Sequence, residues 1–352
     1  MPRFRRGIHV FAAKKDFAAK AWMARTSRAM TTKRCAVDKP LDVKQAILIA
    51  GPTASGKSAL ALALAERLGG EIVNADSMQI YRELRVLTAR PSATEEARVP
   101  HHLYGVISGA ELCSAGRWSR MAVKVIADIE ARGRVPIVVG GTGLYFKALI
   151  EGFSPIPDVP DAVREAVRAE VEAAGEGAHA LLQGVDPVLA ETIRPSDRQR
   201  IARGVEVARA TGRPLSAWQK EPREPLLMGN IAKIVLAPDR AWLRARCDAR
   251  FEAMVREGAI EEARALAALN LAPELPVMKT LGLRPLIDYV SGKIEISEAV
   301  ALGQAETRAY AKRQETWLRT QMIAWKRFSE QDSERLKAII FSFIDDLGLT
   351  RP

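Results

Sequence analysis

The chain has 352 residues, enough for two domains, and its 48% hydrophobic and 27% charged content is that of an ordinary globular protein. It contains no apolar run of about eighteen residues, which excludes a membrane-spanning helix. Its three cysteines, Cys35, Cys113 and Cys247, are scattered without metal-ligand spacing, so a disulfide scaffold is excluded and a reducing, cytoplasmic setting is expected.

The net charge of +11 is concentrated at the start: residues 1–44 hold 12 Lys/Arg against 3 Asp/Glu. This Arg- and Ala-rich, acid-poor stretch leaves three readings open: a start codon placed too early, with Met23 or Met30 the true start; a disordered basic arm touching RNA; or an organelle-targeting peptide. The fold is read without it. "AILIAG" at 46–51 then reads as a buried strand, followed by a glycine-rich loop and the helical pattern "SALALALAERLGG", which ends on a glycine pair. "EIVNAD" at 71–76 is a second strand and "VPIVVGG" at 135–141 a third, with His101-His102 in a loop between them. Adjacent imidazoles diverge and no third ligand stands at a suitable spacing, so they read as locally hydrogen-bonded and not as a metal site.

After the third strand, "GFSPIPDVPD" is a proline-punctuated linker. Residues 155–228 follow as Ala/Glu/Arg-rich helices without strand signals. "KIVLAP" at 233–238 returns to strand, and from 239 onward the chain reads as helical. The expected architecture is an α/β fold: a P-loop-type doubly wound parallel sheet in residues 45–154 and 229–330, an inserted helical subdomain at 155–228 and a tail helix at 331–352. Ligands in such sheets gather at the carboxyl ends of the strands.

The loop Gly51-Pro52-Thr53-Ala54-Ser55-Gly56-Lys57-Ser58 joins a strand to a helix, the context in which this spacing holds phosphates. Its backbone N–H groups and the helix N-terminus would cradle phosphate oxygens, Lys57 would add a point charge, and the Ser58 hydroxyl can ligate Mg²⁺. A nucleotide triphosphatase would also need an acid ending its most apolar strand, but that strand ends "VVGGTGLY". The acid stands instead at Asp76, ending the second strand, where it either faces the loop's ligand or caps a helix beginning "SMQIYREL".

"GPTASGKS", "NADSMQIYREL", "TARP", "VPHHLYG", "VVGGTGLYFKAL", "DRQRIARGVEV", "DRAWLRARCDARFEAMVREG" and "YAKRQETWLR" occur in that order. Together they make residues 45–328 closely resemble the tRNA dimethylallyltransferase (isopentenyl-tRNA transferase) family. The resemblance implies that the loop holds the diphosphate of dimethylallyl diphosphate, with Mg²⁺, and that a prenyl group passes to the exocyclic amine of an adenosine 3′ of the tRNA anticodon. It implies Asp76 as the base, Thr142 as a contact to the target adenosine, and one of Arg246 and Arg250, with Arg246 favoured, on the diphosphate. It also implies tRNA contacts at Asp76, Ser77, Met78 and Gln79, at Arg164, and at Gln199, Arg200, Ile201, Ala202 and Arg203, and a monomer. On their own terms, the arginines four apart and the basic face of 198–203 read equally as solvated helix surface, and Lys312 and Arg313 beside Trp317 as either backbone-contacting or solvated. The chain departs from the family at 85–91, "RVLTARP" for the usual "DIGTAKP", and at 281–285, where Pro285 falls inside an expected helix. The same chemistry on a free adenine nucleotide, a small-molecule kinase and a non-catalytic RNA binder are the competing readings. Removal of residues 1–29 separates the readings of the basic segment: unchanged tRNA affinity eliminates the RNA-binding arm.

Overall fold

The computed structural model describes residues 39–349, so the calls on the segment before residue 39 and on Cys35 lie outside the described residues. Two compact units emerge: residues 39–153 with 224–349, and residues 154–223.

The larger unit is built on six parallel strands, β1 (Leu41–Ala50), β2 (Glu71–Asn74), β3 (His101–His102), β4 (Pro136–Gly140), β5 (Leu227–Leu236) and β6 (Lys326–Phe328). Their spatial order is β3-β2-β4-β1-β5-β6. The chain runs outward from β1 to one edge, returns to β4, and then builds toward the other edge, so the winding direction changes beside β1. Its helices are α1 (Lys57–Leu68), α2 (Ala93–Arg98), α3 (Ala115–Ala131) and α4 (Gly143–Glu151) before the second unit. The second unit holds α5 (Asp161–Ala174), α6 (Ala178–Val185), α7 (Pro187–Ala190), α8 (Arg198–Thr211) and α9 (Leu215–Trp218). Beyond β5 come α10 (Arg240–Arg256), α11 (Ala259–Ala268), α12 (Leu283–Val290), α13 (Ile296–Gln321) and α14 (Ser333–Asp346).

The period-2 geometry of a strand explains the two layers. Ile47 and Ile49 of β1 face a core with Leu60 and Leu64 of α1 and Ile340 and Ile344 of α14. Leu48 and Ala50 point the other way, into a core with Trp118 of α3, Phe146 of α4 and Phe251 of α10. Strands apolar on both faces are the signature of a sheet covered on both sides.

Several boundaries differ from the sequence reading. Residues 41–44, expected in the N-terminal extension, form the first part of β1, with Leu41 opposite Leu227 and Val43 opposite Gly229. There the apolar residues alternate with exposed Asp42 and Lys44, which hides the strand from a search for continuous apolar runs. The helical unit ends at Arg223 and β5 begins at Leu227, so the expected limit at 228 falls inside a strand. His101-His102 is not a loop but a short edge strand beside Ile72 and Val73. The region after 239 is not wholly helical, since β6 pairs with β5. Pro285 sits in the first turn of α12, where its missing N–H has no intrahelical acceptor to lose.

The smaller unit has its own core of Val167, Val171, Leu182, Ile201, Val205 and neighbours. Buried Asp186 ties it together, accepting from Leu189 N–H at 3.1 Å and from Ser216 N–H and hydroxyl at 2.8 and 2.6 Å.

The helix α14 seals one face of the sheet, so truncating its buried Ile340 should cost about 2–5 kcal/mol. Urea unfolding of Ile340→Ala checks this; a loss below about 1 kcal/mol would mean the helix is dispensable to that face.

Candidate active site

The loop after β1 takes its shape from two left-handed residues, Ala54 at φ 63° and Gly56 at φ 91°. The resulting turn delivers Gly56 as the N-cap of α1 and leaves that helix's first N–H groups facing out of the loop. Ala54 packs into a small apolar cluster with Leu243 and Cys247 of α10 and Ala311 of α13, so two helices wall the loop from behind.

The first of them, α10, also brings two cations to the loop. The Arg246 Nε–H donates to the Ala54 carbonyl at 3.0 Å, and its guanidinium lies 4.6 Å over the Trp242 ring. Arg250 donates to the Thr53 hydroxyl. Both arginines therefore meet the loop. The Lys57 ammonium reaches back to the Pro52 carbonyl at 3.3 Å. Burial brings its pKa down to about 8, opposed by the negative charge of Asp76 and reinforced by Arg250. Burial likewise holds Arg250 below the usual guanidinium range. Ser55 Oγ is buried with no protein partner.

Asp76 follows β2 without starting a helix; the stretch from Ala75 to Leu84 is turns and a single bridge. Its Oδ1 accepts from the Met78 N–H at 2.9 Å, closing a local Asx turn in place of the helix cap. Thr142, at the carboxyl end of β4, accepts from Ser77 N–H at 2.9 Å and donates to Ser77 Oγ at 3.3 Å. Asp76, Ser77 and Thr142 thus form one constellation beside the phosphate loop. Gln79 instead spends its amide internally, donating to the carbonyls of Thr88 and Ala89 at 2.9 and 2.8 Å. That bond holds the divergent "TARP" turn, in which Ala89 takes φ 53°.

Two residues of α13 complete the site and carry no assignment from the sequence. Gln314 accepts from Thr53 N–H at 2.8 Å and donates to the Gly141 carbonyl at 2.9 Å, bolting the phosphate loop to the loop after β4. A Cβ on Gly141 would lie 2.1 Å from the Gln314 amide nitrogen, and one on Gly143 would lie 1.9 Å from the Trp317 ring. The "GGTG" run is what lets α13 approach. Tyr310, one turn before Gln314, faces Asp76, Thr142 and Gln314; burial, and after it the charge of Asp76, pushes its phenol well above the usual tyrosine range. The four-residue spacing within "YAKRQ" shows only that the two share a helix face, not which loops they meet. Lys312 and Arg313 are exposed, and Trp317 is half-buried.

In the smaller unit, burial holds the Arg203 guanidinium below its usual range, opposed by the charge of Glu206 and reinforced by that of nearby Arg164. Glu206 is buried between Arg203 at 3.7 Å and Arg168 at 3.5 Å. Arg200 is exposed and pairs with Asp197 at 3.5 Å. Ile201 and Ala202 are buried in the unit's core, so their expected role as RNA contacts is not one their side chains can play. Helix periodicity sends positions 201 and 202 inward while 199, 200 and 203 stay at the surface or its margin. Among the described residues no cluster of three or more His, Cys, Asp or Glu could hold a metal, and no helix is long and apolar enough to cross a membrane.

A P-loop-like parallel α/β fold, with Asp76 at the end of a strand two positions from the loop at 51–58, defines the class of protein. Residues 79–321 match the IPP transferase family and residues 44–104 match the isopentenyl transferase family. The chain belongs to the IPP transferase family. It is 71% identical over 309 residues to the tRNA dimethylallyltransferase of Parvibaculum lavamentivorans, covering 88% of this chain and 98% of that one. It is 54% identical to that of Methylobacterium nodulans, covering 83% and 97%. Among solved structures it resembles the tRNA isopentenylpyrophosphate transferase of Bacillus halodurans, with TM-score 0.62, 32% identity and coverage of 86% and 96%. It also resembles a eukaryotic dimethylallyltransferase acting on tRNA, with TM-score 0.71, 26% identity and coverage of 88% and 80%.

The Lys57 pKa generates a pH dependence. A bound diphosphate favours the ammonium and raises its pKa above the free value of about 8. Binding therefore takes up a proton above that pH, and affinity weakens as pH rises through 8. Calorimetric titration with inorganic diphosphate in buffers of different ionisation enthalpy should show uptake at pH 9 that vanishes in Lys57→Met; pH-independent binding would contradict the assignment.

Proposed function

We propose that this protein is a tRNA dimethylallyltransferase. It moves the dimethylallyl group of dimethylallyl diphosphate to the exocyclic amine of the adenosine 3′ of the anticodon and releases diphosphate. The observation that carries this reading is the pairing of a phosphate cradle with Asp76 and Thr142 at neighbouring strand ends, in a chain of this family.

The chain's residues divide the work. The amine is a weak nucleophile because its lone pair is delocalised into the ring, so the donor must be made more electrophilic. As the C1–O bond of the allylic donor breaks, negative charge grows on the diphosphate. Lys57, Arg246 and Arg250, which all meet the loop, and the loop N–H groups would neutralise that charge. The buried Ser55 hydroxyl fits a loop completed by an anion. The nitrogen bonds to C1, and Asp76 takes the proton the amine loses. Thr142, with its hydroxyl pinned by Ser77, orients the base.

Mg²⁺ fits this donor set only as an ion held chiefly by the diphosphate and water, since among the described residues no His, Cys, Asp or Glu cluster could hold it and exposed Ser58 on the first turn of α1 would lend a single hydroxyl. When bound it would add charge neutralisation on the leaving group. Arg164, Arg200 and Arg203 offer cations for the phosphates of the tRNA, and the target base must leave its stack to be modified. The reading takes the protein as a cytoplasmic monomer.

Labelled dimethylallyl diphosphate offered with Mg²⁺ and either unmodified tRNA or AMP should label tRNA alone. Label in AMP alone would reassign the acceptor, and ATP turnover without label would refute the reading. Asp76→Asn should lower the transfer rate by about 10²–10⁴-fold, as loss of a general base does; a near-wild-type rate would remove Asp76 from that role.

A further inference from the structure

Asn74, the last residue of β2, is fully buried two positions before Asp76. Its carboxamide engages three backbone groups. Nδ2 donates to the Asp76 carbonyl and to the Leu103 carbonyl, each at 3.0 Å, and Oδ1 accepts from the Asp76 N–H at 2.8 Å. Turned over, the amide would set its NH₂ against an N–H and its oxygen against two carbonyls, so the network admits one orientation.

The Asn74 backbone is fixed in turn. It stands opposite Val139 of β4, and its carbonyl accepts from the Trp118 indole N–H at 2.8 Å. Trp118 is itself buried and stacks on Tyr145 with ring centroids 4.1 Å apart. One side chain therefore grips both polar backbone groups of Asp76 and anchors them to the sheet and to the segment after β3. With that backbone held, the carboxylate retains only its own side-chain torsions, which the bond from Met78 N–H restricts.

We propose that Asn74 is a positioning residue for prenyl transfer: it does not touch substrate but sets the direction in which Asp76 presents its carboxylate to the acceptor amine. The proposal rests on the reading of Asp76 as the base. A residue that merely filled space would need no carboxamide in a four-residue strand otherwise suited to Val or Ile.

The test is a double-mutant cycle on the full chain, with Asn74→Leu, Asp76→Asn and the pair, read by single-turnover transfer, inorganic diphosphate affinity and thermal melting. Misplacement of a reacting group by about 1 Å costs on the order of 10²-fold, so N74L should be slower by roughly that factor with unchanged diphosphate affinity. In the D76N background it should cost nothing further, because Asn74 acts through Asp76. An undiminished loss in that background, or a wild-type rate in N74L, overturns the proposal. A wild-type rate in D76N instead refutes the base assignment and the proposal with it. Should N74L fail to fold, Asn74→Thr replaces it: its shorter side chain keeps a polar group in the strand but cannot span Asp76 and Leu103, and the same pattern is expected.

Discussion

The distance between the phosphate cradle and the carboxylate is set by β4, which stands between β1 and β2. Parallel strands are about 4.8 Å apart, so the loop at 51–58 and the Asp76 turn leave the sheet roughly 10 Å from one another. A sheet buried on both faces cannot easily change that spacing, because its register is locked by side chains packed above and below. Gln314 adds a second lock outside the sheet, joining Thr53 to Gly141 across the same gap. Transfer between two substrates depends on such fixed geometry far more than on any single contact.

Electrostatics explains why the same loop needs helices so distant in sequence. Lys57 and Arg250 stand where burial disfavours charge, the negative charge of Asp76 opposes that penalty on both, and exposed Arg246 meets the same loop. A cationic site of this kind is costly without an anion and strongly attractive to one, which is what binding and releasing diphosphate requires. The absence of an acid at the end of β4 belongs to the same account. The end of β4 is given over to Gly141 and Thr142, so that α13 can close in.

Much of this was legible in the sequence because it is local. The P-loop announces itself through glycine spacing between a strand and a helix, and the apolar runs of β1, β2, β4 and β5 reveal a doubly covered sheet. The start of β1 was missed because Asp42 and Lys44 alternate with Leu41 and Val43. The edge strands β3 and β6 were missed because two or three residues carry no periodicity. Gln314 and Tyr310 were invisible for another reason: their roles arise from partners some 170 to 260 positions away, and an amide in a charged helix gives no hint of which loop it will meet. Ile201 and Ala202 show the converse, where a motif match assigned contacts that helix phase forbids to their side chains.

The central claim is that the loop at 51–58 holds the diphosphate of an allylic donor with its reacting carbon turned toward Asp76 and Thr142. A crystal structure with a non-reactive thiolo analogue of dimethylallyl diphosphate tests it most directly. The account predicts the diphosphate on the loop N–H groups, Lys57, Arg246 and Arg250, with the allylic C1 facing the Asp76 carboxylate. A diphosphate seated elsewhere, or an allylic tail pointing away from Asp76 and Thr142, would contradict it.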